Sequence, residues 1–175
     1  MDSSRANLEI VDRFSVVAAQ FCAVVDAAPR LSREEFLSQV YSVLPKLIDQ
    51  AICMPDIEPD ESSEVAPVPE GQLENTRLGH HQWQRLYDML KEKLGDWESY
   101  RELFDPIGDT EPCGGSLADD LADIYRDLKE VLVRNESSSA RPENRIWEWQ
   151  FSFNSHWGRH AIDALRVIHI RLRYR

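Results

Sequence analysis

Near the end of the chain stand His156, His160 and Asp163. On a helix, His156 and His160 are one turn apart and Asp163 follows three residues later, so all three could converge on one point. At about 100° per residue they share a sector with Trp149, Phe153, Trp157, Ala164 and Val167. Ionisable groups therefore point where the apolar groups point. Upstream, Asp120, Asp123, Asp127 and Glu130 form a stripe along one flank of another apolar helix face, with Tyr125 on the other flank. Asp120 and Asp127 lie closest to its core side. If these two helices pack antiparallel, as their short connection favours, Asp120 or Asp123 faces His156 or His160.

Imidazole and carboxylate together suit a divalent zinc, iron, nickel or manganese ion. On this reading His156, His160, Asp120 and Asp123 are the candidate metal ligands. The His-Glu-x-x-His metalloprotease motif is absent, because no Glu follows His156, and the spacing is not the Glu-x-x-His of di-iron bundles. The plainer reading is a buried hydrogen-bond network. A carboxylate of Asp120, Asp123 or Asp127 would accept from a histidine or from the Trp157 indole and so fix helix register. A third reading is acid–base catalysis by His156 or His160, which needs a cleft. No other cofactor is evident.

Other reactive residues have simpler expectations. His80 and His81 open a helix and should be solvated. Cys113, before Gly114-Gly115, reads as a loop cysteine without a base partner. Trp83, Trp97 and Trp147 read as core residues. Arg166, Arg171, Arg173 and Arg175 suit the C-terminal end of a helix dipole. The side of the last helix opposite the histidines carries Trp147, Phe151, Ile162 and Leu165, with Gly158 where close packing would need no side chain. A helix apolar on two sides is central in a bundle or meets a partner, so a protein partner or self-association is a second functional class.

Five helices must position these groups. The first is expected over Asn7–Asp26, with Val11, Phe14, Ala18, Phe21 and Val25 as its stripe. Ser32 and Glu35 predict a capping box for the second, whose stripe is Phe36, Val40, Leu44, Leu47 and Ala51, with a kink at Pro45. Residues 54–75 are rich in proline and acid without Lys or Arg, which predicts a flexible loop. The third helix runs from His80 to a stop at Gly95, with Trp83, Leu86, Tyr87, Leu90 and Leu94 inside. A short helical turn is expected over Trp97–Phe104, then a loop through Asp105-Pro106, Gly108 and Pro112–Gly115. Ser116 with Asp119 caps the fourth helix, which buries Leu117, Leu121, Ile124, Leu128 and Val131. A polar loop follows over Asn135–Ala140, and the fifth helix runs from Pro142 to Arg171. No strand pattern is visible. The expectation is one all-α domain over 1–175, a helical bundle of about five main helices with 116–172 as its best-defined hairpin.

The 175 residues carry a formal net charge of −11. Such a surface repels nucleic acid and anionic membrane, so neither is expected as a partner. Three cysteines, Cys22, Cys53 and Cys113, lack metal spacing and leave an odd thiol, which suits a reducing cytoplasm. The N-terminal residues do not read as a secretory signal, and no run approaches the ~20 apolar residues of a membrane span.

The stretch Ser116–Lys129, then Trp147-Glu148-Trp149-Gln150-Phe151 and His156–Arg166, resembles a bacterial family catalogued as domain of unknown function number 5063. The resemblance is strong over the C-terminal half and looser before Asn75. It implies a small cytoplasmic helical protein and brings no activity, cofactor or catalytic residue. Two functional expectations therefore stand. One is a non-enzymatic cytoplasmic binding or interaction module. The other is a metal-dependent or acid–base enzyme using the His/Asp cluster between the last two helices.

Overall fold

The computed structural model describes residues 3–59, 79–103, 107–108, 110–137 and 141–174. Helix α1 spans Ser3–Ala27 and α2 spans Arg33–Ile52. The α1 stripe of Val11, Phe14, Ala18, Phe21 and Val25 is buried throughout. The capping box forms as its spacing predicts. Ser32 Oγ accepts from Glu35 N at 3.2 Å, and Ser32 N donates to Glu35 Oε2 at 2.9 Å. Pro45 sits inside α2 without ending it. Met54–Pro59 has no regular structure, while the expected loop over 60–75 lies outside the described residues.

Helix α3 spans His80–Leu94 and ends at Gly95, whose φ is +56°. Trp97 closes a 3-10 turn, Gly95–Trp97, rather than opening a helical turn. Strand β1 follows over Ser99–Glu102 and pairs antiparallel with β2, Cys113–Ser116, so part of the expected loop is a two-stranded sheet. Four-residue strands are too short to show alternation, and Gly114-Gly115 hides the second. The second of those glycines has a steric purpose. Tyr100 lies opposite Gly115, and a Cβ there would come within 2.4 Å of the Tyr100 ring.

Helix α4 spans Leu117–Ser137, two residues past the expected loop start at Asn135. Ser116 Oγ accepts from Asp119 N at 3.1 Å and itself donates to the buried Glu98 carboxylate. Leu117, Leu121, Ile124, Leu128 and Val131 are all buried. The last helical rod is not uniform. Helix α5 covers Pro142–Ser152, a π turn covers Phe153–Trp157, and α6 covers Gly158–Arg173.

Packing accounts for that π turn. Trp149 and Trp157 are both fully buried, with ring centroids 4.6 and 6.3 Å from Phe14. Eight residues of unbroken α-helix would set them about 80° apart. A π turn takes up one extra residue, about 100° of phase, and brings both onto the same core. Gly158 closes the turn by donating its N–H to the Phe153 carbonyl. A Cβ at 158 would lie 2.5 Å from that oxygen, so close approach is what excludes a side chain there.

The fold is all-α, with the small sheet as an accessory. Phe14, Phe21, Phe36, Leu44, Leu90, Leu121 and the two tryptophans fill its centre. Each such side chain contributes about 1.5–3 kcal/mol by leaving water. No helix among the described residues is long and apolar enough to cross a membrane.

Candidate metal centre

The α4 carboxylates Asp120, Asp123 and Asp127 recur at helical spacing and project toward the last rod. His160 pairs with Asp120 and His156 with Asp127. The later histidine meets the earlier aspartate, so the two helices run antiparallel.

His160 Nδ1 is 2.8 Å from Asp120 Oδ1, and His156 Nδ1 is 2.8 Å from Asp127 Oδ2. An ionised carboxylate only accepts, so each Nδ1 donates to it, and in the neutral imidazole each Nε2 then keeps its lone pair. Both Nε2 atoms face Asp123 Oδ2, at 3.9 Å from His156 and 3.7 Å from His160. Those distances are too long for hydrogen bonds. Asp123, His156 and His160 each offer a ligand atom within 4.8 Å of the other two.

The outer contacts hold this arrangement in place. Trp83 Nε1 donates to Asp123 Oδ1 at 2.8 Å, and Arg126 Nη2 reaches the same oxygen at 3.0 Å. Asp123 Oδ2 is thereby turned inward. Tyr100 Oη donates to Asp120 Oδ2 at 2.7 Å. Ser152 Oγ donates to Asp127 Oδ2 at 3.2 Å, and Arg126 Nε lies 3.5 Å from Asp127 Oδ1.

Burial grades the site. The His160 side chain is 9 % exposed and that of His156 is 39 % exposed. Burial disfavours charge on His160, but the Asp120 hydrogen bond and the charges of Asp120 and Asp123 outweigh it and raise its pKa. Burial also pushes the Asp120 carboxyl upward, against the hydrogen bonds from His160 and Tyr100. On the His156 side a cavity of about 490 Å³ opens, lined by Arg126, Asp127, Trp147, Phe151 and Ser152 among others. Beyond Asp123 a second, of about 430 Å³, is lined by His80, Trp83, Asp123 and Arg126.

The structure thus brings together His156, His160, Asp120, Asp123 and Asp127, in two distinct roles. Asp123 presents an oxygen to both histidines, while Asp120 and Asp127 sit behind them. Asp120, a candidate ligand by spacing, spends both oxygens on His160 and Tyr100. Two other candidates stand apart. The Trp157 indole nitrogen is buried without a hydrogen-bond partner, because its ring is sunk among Phe14 and Phe153. Asp163 lies 3.6 Å from Arg166 and lines a different cavity. Besides Ser152 beside Asp127, the cluster contains three residues that the sequence reading did not place there. Arg126, three residues after Asp123, had a visible spacing signal. Trp83 and Tyr100 had none, since their contacts join separate elements. His80 and His81 are exposed, as are Cys53 and Cys113.

A crystal structure of protein BF1032 from Bacteroides fragilis is similar to this chain, with a TM-score of 0.66 and 26 % identity over 90 % of this chain and 89 % of that one. No curated protein is significantly similar. The chain belongs to the family described as Domain of unknown function (DUF5063), whose profile matches residues 6–174.

Proposed function

We propose that this member of a family without an assigned activity binds a divalent transition-metal ion through His156 Nε2, His160 Nε2 and Asp123 Oδ2. One observation carries the reading: two imidazoles with their Nδ1 atoms on carboxylates aim both remaining nitrogens at one carboxylate oxygen. Neutral imidazole nitrogens and a carboxylate oxygen facing one point repel each other unless a proton or a metal ion lies between them. A carboxylate behind each histidine is the usual arrangement around a ligating imidazole, since it fixes the tautomer and raises basicity. Ligand atoms around such an ion stand roughly 3–3.5 Å apart, given bonds near 2.1 Å. The separations of 3.7 and 3.9 Å need only a small inward movement.

Three protein ligands leave coordination positions for water or substrate, as in catalytic rather than structural sites. A bound ion supplies Lewis-acid activation of such a ligand. The chain's own residues orient the histidines, neutralise the surplus carboxylates through Arg126, and provide the cleft beside His156. This supports a metal-dependent enzyme acting on a small molecule.

The test is metal content by elemental analysis of protein purified without an affinity tag, with thermal stability measured on adding zinc, manganese, iron or nickel. We expect near-stoichiometric metal or a saturable stabilisation, lost in His156→Gln, His160→Gln and Asp123→Asn. Neither metal nor stabilisation in the unsubstituted protein would sink the reading.

A second reading, the interaction module, is supported by Phe151 and Ile162, large apolar side chains 57 % and 54 % exposed on the rod, one on each side of the π turn. Light scattering across concentration tests self-association through these exposed apolar residues. A strict monomer counts against it.

A further inference from the structure

The sheet and the start of α6 flank a separate open cavity of about 530 Å³, within the usual range for small-molecule sites. Its charge runs against that of the chain. On a protein of net charge −11, this one cavity gathers Arg101, Arg159 and Arg166 against the acids Glu102 and Asp163. Arg101 stands opposite Gly114 across the strand pair, so no side chain from β2 covers it. Arg166 reaches Asp163 only at 3.6 Å and lies 5.9 Å from the Tyr100 ring centroid. Burial and the charges of Asp163 and Asp120 raise the Glu102 carboxyl, against the Arg159 charge and the Tyr100 hydrogen bond. The lining therefore carries three guanidinium groups against two carboxyls. Leu103 and Ile162, 38 % and 54 % exposed, line the same cavity.

We propose that this cavity is a binding site for a small organic oxyanion, a carboxylate or phosphate on a short aliphatic body. Guanidinium groups recognise both heads by paired N–H donation, and the aliphatic body replaces water against Leu103 and Ile162. The site shares no ligand with the His156–His160–Asp123 triad. It stands whether or not that triad holds metal.

The experiment uses the full, metal-free chain and calorimetric titration with hexanoate, hexyl phosphate, inorganic phosphate and hexylamine. Saturable binding of hexanoate or hexyl phosphate is expected at about 1 mM or tighter, with inorganic phosphate weaker and hexylamine silent. Whichever hexyl anion binds better identifies the head group. The double variant Arg101→Gln/Arg159→Gln should weaken binding about tenfold or more while keeping its helical circular dichroism. Arg101→Gln alone, on an exposed strand position, should weaken it by less and guards against a double variant that fails to fold. Three results would overturn the proposal: no saturable binding of either hexyl anion, equal binding of hexylamine, or unchanged affinity in both variants.

Discussion

Trp83 on α3 donates its indole N–H to Asp123 on α4 at 2.8 Å, so the carboxylate facing both histidines is aimed by a residue forty positions earlier. Trp83→Phe keeps most of the ring packing and removes only that donor. Metal affinity should fall about 10- to 100-fold, the usual effect of losing such a supporting contact. Competition against a chelator of known affinity measures it. Unchanged affinity would mean that Arg126 alone orients Asp123.

The two histidines should differ in what they contribute to the metal-free fold. His160 is nearly buried and pairs with a buried aspartate, whereas His156 is partly solvated. Urea unfolding of His160→Gln should show a loss of about 1–3 kcal/mol, because Asp120 keeps only its Tyr100 donor. His156→Gln should cost less than about 1 kcal/mol. Equal losses would contradict the graded burial.

Acidity should act on folding and on metal binding in opposite directions. The His160 pKa is raised in the folded protein. Its contribution to metal-free stability is therefore fully present below the unfolded value of about 6.5 and is lost as pH rises through the folded pKa. Metal binding needs the unprotonated Nε2, so affinity should rise over that same interval. Unfolding curves and metal titrations between pH 5 and 8 (roughly the histidine range) check both signs. Parallel trends would rule out His160 as the coupled group.

The cysteines offer a check on packing away from the site. Burial pushes the Cys22 thiol up to about 12, while Cys53 and Cys113 are exposed. A thiol-reactive dye at neutral pH should label Cys53 and Cys113 promptly and Cys22 only in denaturant, since the thiolate is the reacting species. Rapid labelling of Cys22 in the native protein would show that the contact between α1 and α4 opens readily.

Gly158→Ala places a methyl group where the Phe153 carbonyl stands. The π turn must then distort or the rod must shift, and either strains the seats of Trp149 and Trp157. A loss of about 1–3 kcal/mol is expected, read by urea unfolding with tryptophan fluorescence. A neutral result would mean that the turn relaxes without disturbing the core.

Most of the helices were legible in the chain because apolar periodicity and capping are local properties. Phe14, Phe21 and Phe36 announce their burial by spacing, and Ser32 with Glu35 announces where α2 begins. The same locality placed His156 and His160 on one face and Asp120, Asp123 and Asp127 on another, and named the helices that could join them. What spacing could not decide was the role of each carboxylate. That depends on which oxygen each histidine nitrogen meets, and so on the offset between two antiparallel helices. That offset is set by side chains remote in sequence: Trp149 and Trp157 packed around Phe14, and the π turn that aligns them. Trp83 and Tyr100 joined the site for the same reason. One reaches Asp123 from another helix, and the other reaches Asp120 from a strand whose partner is mostly glycine and serine. Long-range packing turned a row of aspartates into one inward-facing oxygen and two supports.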